Sequence, residues 1–200
     1  MGYYVRVLST SSECVPFDEL KRALIDNSLK AEIQCEEDES GWNQLLLIHK
    51  DGREIAVIER NPVFDGSLGE EEIEEFLEDI EDGKPASAVK WLKEYFKKIK
   101  CIYAFQVLSG TDHKNGWEIL GAIKEAVWNY APGILQADSE GFSNEDGYHV
   151  LWQFSDSVDG SWWMAVLDGK SWKNFEMDLG NKDQRAAFFE GKVPNGVKMA

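Results

Sequence analysis

The sequence predicts an α+β fold: a tandem duplication of a β-α-β-β-β unit packed as a pseudo-dimer, joined by a helical hairpin and followed by a short C-terminal helix. Three observations predict it. Alternating, β-rich segments are interleaved with segments of helical apolar period. Matching residue pairs recur at an offset that starts at 100 and only grows along the chain. An acidic and then a lysine-rich helical stretch separates the two series. The boundaries read as 1–69 for the first copy, 70–100 for the connector, 101–180 for the second copy and 181–200 for the last helix and tail.

In the first copy, Tyr3 to Ser9 alternates as a strand does. Phe17, Leu20, Ala23 and Leu24 recur at helical spacing after Pro16, which suits a first helical turn. Ala31 to Cys35 is a short strand, and Asn43 to Lys50 and Arg53 to Arg60 form a hairpin about Asp51-Gly52. Asn61-Pro62 then stops the strand. In the connector, Ile73, Phe76, Leu77 and Ile80 make an apolar stripe, and every other residue from Glu70 to Asp82 is acidic. Gly83-Lys84-Pro85 breaks that helix, and a second one carries Val89, Leu92, Tyr95, Phe96 and Ile99 among lysines. Opposite charges on facing flanks are expected to orient the pair, with solvated faces as the plainer alternative.

In the second copy, Ile102 to Ser109 is the strand, and Trp117, Leu120, Ile123, Val127 and Ala131 mark the helix that Pro132-Gly133 ends. Ile134 to Ala137 is a short strand. Tyr148 to Phe154 and Ser161 to Leu167 form a second hairpin about Asp159-Gly160, with Lys173 to Met177 as a further strand. Asn181 caps the last helix, with Gln184 where a capping-box partner belongs; Gly191 ends it, Pro194-Asn195-Gly196 is a turn, and the last residues are expected to be loose.

The duplication rests on particular pairs. At an offset of 100, Tyr3 matches Tyr103, Leu8-Ser9 matches Leu108-Ser109, Phe17 matches Trp117 and Leu20 matches Leu120. Ile33-Gln34-Cys35 matches Leu135-Gln136-Ala137 at 102, and Ala56-Val57-Ile58-Glu59 matches Ala165-Val166-Leu167-Asp168 at 109. The offset grows where loops are expected, which chance similarity has no reason to do.

Composition narrows the function classes. Two hundred residues with 43% hydrophobic content can bury a core without disulfide staples. No apolar run approaches the length of a membrane span, and the start lacks the apolar stretch of a secretory signal. Cys14, Cys35 and Cys101 are odd in number and far apart, so they read as reduced thiols of a cytoplasmic protein. A net charge of −16 disfavours nucleic acid and anionic membrane as partners and favours a basic protein. The excess is spread over both copies, and the sharpest local contrast lies in the connector.

No phosphate-binding, nucleophile-elbow or zinc-protease motif is present, and His49, His113 and His149 follow no ligand spacing. The nearest approach to a site is the acidic loop from Asp138 to Gly147. It fails the calcium-loop pattern because Ser143 stands where the glycine belongs and His149 where the glutamate belongs. Asp138 and Glu140 could serve as paired carboxylates, with Asp146 and His149 completing the candidate set, while Asn-x-Asp-Gly is also ordinary turn chemistry. Six of the eight tryptophans fall between Trp117 and Trp172. Trp162 and Trp163 are adjacent in a strand, so their rings face opposite sides of a sheet.

The sequence therefore names no activity. The first reading is a non-enzymatic protein-interaction module, inhibitor- or immunity-like, that binds a basic partner. A second is a small-ligand-binding protein with a Trp-lined cleft in the second copy, and a third is a metal-assisted hydrolase using residues 138–149. The residues singled out are Trp162, Trp163, Trp152, Asp138, Glu140, Asp146 and His149. No catalytic residue, metal ligand or cofactor is assigned, and monomer and homodimer are both left open.

Overall fold

The computed structural model describes residues 2–36 and 38–200. It is a mixed α+β chain. In order, the elements are β1 (Tyr3–Ser9), α1 (Phe17–Asp26), β2 (Ala31–Gln34), β3 (Gln44–His49), β4 (Glu54–Pro62), α2 (Leu68–Asp79), α3 (Ala86–Phe96), β5 (Cys101–Val107), a 3₁₀ turn (Ser109–Asp112), α4 (Gly116–Tyr130), β6 (Gly133–Ala137), β7 (Gly141–Ser143), β8 (His149–Trp152), β9 (Ser161–Asp168), β10 (Ser171–Asp178), α5 (Lys182–Phe189) and β11 (Lys198–Met199). Among the described residues, no helix is long and apolar enough to cross a membrane.

The chain divides into two compact units. Unit 1 comprises Met1–Glu70 and Ile99–Gly133, and unit 2 comprises Glu71–Lys98 and Ile134–Ala200. The units cut across the copies read in the sequence, because β5 and α4 fold with the first copy's strands.

In unit 1 the strand order is β1-β5-β4-β3-β2, antiparallel throughout. Asp51-Gly52 makes the turn of the β3–β4 hairpin, with Gly52 at φ +88°. β4 ends at Asn61-Pro62, taking both residues into the strand. It runs through both and pairs them with Ile102 and Cys101 of β5. Pro62 is tolerated as the last residue of the strand, where a missing N–H costs least. α1 buries Phe17, Leu20 and Leu24, and α4 buries Ile119, Leu120, Ile123 and Val127. The fully buried Trp42 donates its indole N–H to the Val15 carbonyl at 2.8 Å and lies 5.8 Å from the Tyr103 ring. The Tyr103 hydroxyl donates to the Glu13 carbonyl and accepts the Val15 N–H, which ties the α1 entry loop to β5.

In unit 2 the order is β6-β7-β8-β9-β10-β11. Three expectations are corrected here. The acidic loop contains a strand, β7, which pairs with both β6 and β8. The strands on either side of Asp159-Gly160 are not a hairpin: β8 and β9 pair in parallel, His149 beside Met164, and the hairpin lies one turn later, between β9 and β10. The tail is not loose, since Lys198–Met199 pairs with β10. The two connector helices are joined by aromatic packing. α2 and α3 meet through Phe76 and Phe96, 6.2 Å apart, and both rings lie 5.4 Å from Phe142 of β7. Glu74, Glu75, Glu78 and Asp79 of α2 are exposed on its outer side. A second apolar cluster joins Met164, Val166, Phe175 and Met177 to Leu179 and Phe188. The Asn181 side chain accepts the Asp183 and Gln184 N–H groups as a cap should, but Gln184 turns away to accept the Asp178 N–H, so the reciprocal box is absent.

Candidate functional site

The residues singled out in the sequence all lie in unit 2, where strand alternation sorts them. Trp162 shares a face of β9 with the buried Met164 and Val166, and Trp163 projects from the other face. Their exposures are 40% and 38%, so neither ring is core and neither is free of neighbours.

On the Trp162 face, Phe154 is the hub. Its ring lies 5.6 Å from Trp162, 5.1 Å from Trp152 and 4.9 Å from His149. Trp152 also contacts Phe188 and Phe189, and the Arg185 guanidinium sits 4.8 Å over its indole. The indole N–H of Trp152 donates to the Phe154 carbonyl at 3.0 Å. Trp152, Trp162 and His149 therefore do converge, on a phenylalanine that sequence reasoning passed over.

His149 is buried and its Nε2 lies 2.8 Å from the Glu140 carbonyl. A carbonyl only accepts, so the proton sits on Nε2 and the imidazole donates. Burial lowers its pKa to about 4, against smaller upward pulls from the Glu140 and Leu151 backbone. The ring is neutral at pH 7. Its place depends on Gly141, at φ +123°, where an added Cβ would fall 2.1 Å from the Leu151 carbonyl oxygen and 3.0 Å from His149 Nε2.

The three carboxylates lie in two successive turns. Asp138 and Glu140 flank the β6–β7 turn. The Asp138 carboxylate is 3.4 Å from the Gln136 amide nitrogen, and the Glu140 carbonyl also accepts the Gln153 N–H. Asp146 sits in the next turn, which the fully buried Asn144 organises by accepting the Asp146 and Tyr148 N–H groups. Among the described residues, no group of three or more His, Cys, Asp or Glu side chains is arranged to hold a metal ion.

On the Trp163 face, Tyr148 stands edge-on to the indole at 6.0 Å and 82°. The Lys198 ammonium lies 5.2 Å from the Trp163 centroid and 3.6 Å from a Glu176 carboxylate oxygen. The Ser161 hydroxyl donates to the other Glu176 oxygen at 2.7 Å. Sequence reasoning had no access to this group, because Lys198 reaches it only through the β10–β11 pairing.

The strongest charge feature is α2 and the turn after it. Glu71, Glu74, Glu75, Glu78, Asp79, Glu81 and Asp82 are all exposed. Among the described residues none of the seven has an ion-pair partner. Beyond the turn, a cavity of about 580 Å³ is lined by Glu81, Asp82, Lys84, Val89, Lys90 and Lys93, a mixed-charge wall. Compared with known proteins, the chain matches no family model, no curated protein and no solved structure.

Proposed function

We propose that this protein is a non-enzymatic interaction module whose acidic α2 face binds a basic protein. The observation that carries the reading is that row of exposed, unpaired carboxylates. Glu71 and Glu75, and Glu74 and Glu78, are like charges at i and i+4, each pair costing the helix roughly 0.2–0.5 kcal/mol. A face that opposes its own helix gains from a cationic partner, which would relieve the repulsion and be steered in by it. The three free thiols, Cys14, Cys35 and Cys101, support a reducing, cytosolic setting.

The test is a comparative pull-down. Wild type at low salt should retain a basic protein that high salt releases, and the variant with Glu71, Glu74, Glu75 and Glu78 all changed to Gln should retain none of it. Equal recovery by the two proteins, or none by either, refutes the reading.

We also read β1–α1 and β5–α4 as two copies of one unit. Any antiparallel strand pair carries a local twofold axis, but nothing obliges that axis to fall between residues matched in sequence. Here Val5 pairs with Phe105, the offset-100 equivalent, so the axis exchanges Tyr3 with Tyr103. α1 and α4 pack side by side in the same unit. An experimental structure in which no rotation near 180° superposes residues 3–26 on 103–126 would remove this reading.

A further inference from the structure

We propose that unit 1 carries a binding site for a linear aliphatic diamine or polyamine, on the open face of β2, β3 and β4, with Glu36 and Glu54 receiving its two ends. The site uses none of the carboxylates of the acidic α2 face.

Register decides which side chains share that face. Gln34 pairs with Leu46 and Leu46 with Val57, so the three lie abreast on one side of the sheet. Leu45, Leu47, Ala56 and Ile58 project from the other side and are buried, whereas Leu46 and Val57 are only half-buried. These two apolar side chains floor a cavity of about 300 Å³ walled by Gln34, Glu36, Gln44 and Glu54. An apolar floor with a few convergent polar groups is the usual make-up of a small-molecule site.

The place of Glu54 requires a departure from regular strand geometry. Strict alternation would put Glu54 and Val57, three residues apart, on opposite faces of β4. A β-bulge prevents this. Leu47 pairs with Ala56 but Ile48 pairs with Glu54, so Ile55 is the extra residue and Glu54 swings to the face of Leu46 and Val57. The turn after β5 holds the bulge. The Leu108 N–H donates to the Ile55 carbonyl at 2.9 Å, and Gly110 packs so close that a Cβ there would fall 2.2 Å from the Glu54 carbonyl oxygen. Bulges re-aim side chains beside functional sites. This one brings a carboxylate to one end of the cavity, while Glu36, two residues beyond Gln34, closes the other.

The lining defines the ligand's chemistry. It offers two carboxylates, two carboxamides and an apolar floor, and among the described residues it includes no cationic side chain. The other cavities differ. Arg22 already pairs with Glu19 in the groove between α1 and α4, and Lys84, Lys90 and Lys93 stand among the acids after α2. Glu54 lies at the level of Ile48 and the far wall at that of Gln44, which are about 13 Å apart along β3. Carboxylates so placed match ammonium groups at the two ends of one chain. Methylenes between them would cover Leu46 and Val57, and the carboxamide oxygens of Gln34 and Gln44 can accept further N–H donors. A lysine side chain of a partner protein has one ammonium and satisfies one end only, so the geometry favours a free molecule charged at both ends.

The experiment titrates the full chain by calorimetry at pH 7 and about 0.15 M salt, which screens unspecific attraction to an acidic protein. Diaminooctane and putrescine carry equal charge on chains of different length, while octylamine and Nα-acetyllysine methylamide carry one ammonium each. Diaminooctane should bind at one site, about fivefold or more tightly than each of the other three, and the methyl resonances of Leu46 and Val57 should shift on binding. Glu36→Gln and Glu54→Gln are isosteric changes at exposed positions, so the fold is safe, and each should weaken binding about fivefold. Changing Glu71, Glu74, Glu75 and Glu78 to Gln should leave the affinity as it was, so this site and the α2 face fail or succeed separately. Equal affinity for diaminooctane and putrescine, or a loss in the α2 variant as large as in Glu54→Gln, marks unspecific charge attraction and overturns the proposal. Binding of octylamine or the lysine derivative as tight as that of diaminooctane, unmoved Leu46 and Val57 methyls, or no binding of any amine overturns it equally.

Discussion

Lowering the pH should destabilise this fold through His149 in a defined window. The imidazole has an ordinary pKa of 6.5 in the unfolded chain and one lowered to about 4 in the folded protein. Above pH 6.5 both states are neutral and the residue adds no pH dependence. As the pH falls through 6.5 the unfolded chain takes up a proton that the buried ring refuses, so stability drops. The loss levels off below pH 4, where both states are protonated. At about 1.4 kcal/mol per pKa unit the full penalty is about 3 kcal/mol, of which about 2 kcal/mol is already present at pH 5. Urea unfolding at intervals from pH 7.5 to 4 measures it, with His149→Gln as the reference. Glutamine keeps an N–H donor for the Glu140 carbonyl and does not titrate. Background carboxylate titrations are common to both proteins, so the difference in slope isolates His149. Parallel stability curves for the two proteins, or a folded-state imidazole titrating near its ordinary value by NMR, would refute the argument.

Other expectations follow from packing and backbone geometry. Gly141→Ala should cost about 2 kcal/mol or more, because its Cβ meets the Leu151 carbonyl at a positive φ, whereas Gly52→Ala, also at positive φ but in open space, should cost about 1 kcal/mol; chemical denaturation of the pair checks the ranking. Phe142→Ala removes a fully buried ring from between Phe76 and Phe96 and should cost about 3–5 kcal/mol, with α2 and α3 gaining hydrogen exchange before the rest of unit 2. Asn181→Ala loses both capping bonds of α5 and should lower stability by about 1 kcal/mol in the same assay.

Local chemistry was legible in the sequence and long-range pairing was not. Pro16 at the entry of α1, Asp51-Gly52 in its hairpin and Asn181 at its cap all act through neighbours a few residues away, and each stands where the sequence puts it. The hairpin expected at Asp159-Gly160 failed for a physical reason. A turn dipeptide permits reversal, but which strands pair depends on partners the local sequence does not contain, and Asp168-Gly169 offered the same chemistry nine residues on. β7 was hidden because its three residues, Gly141 to Ser143, are too short for alternation to register. At the candidate site, opposite orientation of Trp162 and Trp163 followed from strand geometry alone. Phe154, Glu176 and Lys198 become visible only once β9, β10 and β11 are side by side.

The two compact units also constrain how this chain can be made. β5, the strand between β1 and β4, is supplied from beyond the connector, so the chain leaves unit 1 after Glu70 and returns to it at Ile99. A growing chain released only as far as residue 70 holds β1 and β4 with the place between them unfilled, each showing a bare hydrogen-bonding edge. Unit 1 cannot close until α4 has emerged, and unit 2 waits for the final strands. No single cut in the chain separates one unit from the other. An expression fragment ending near residue 70 should therefore be aggregation-prone, while one ending after Gly133 carries every strand of unit 1.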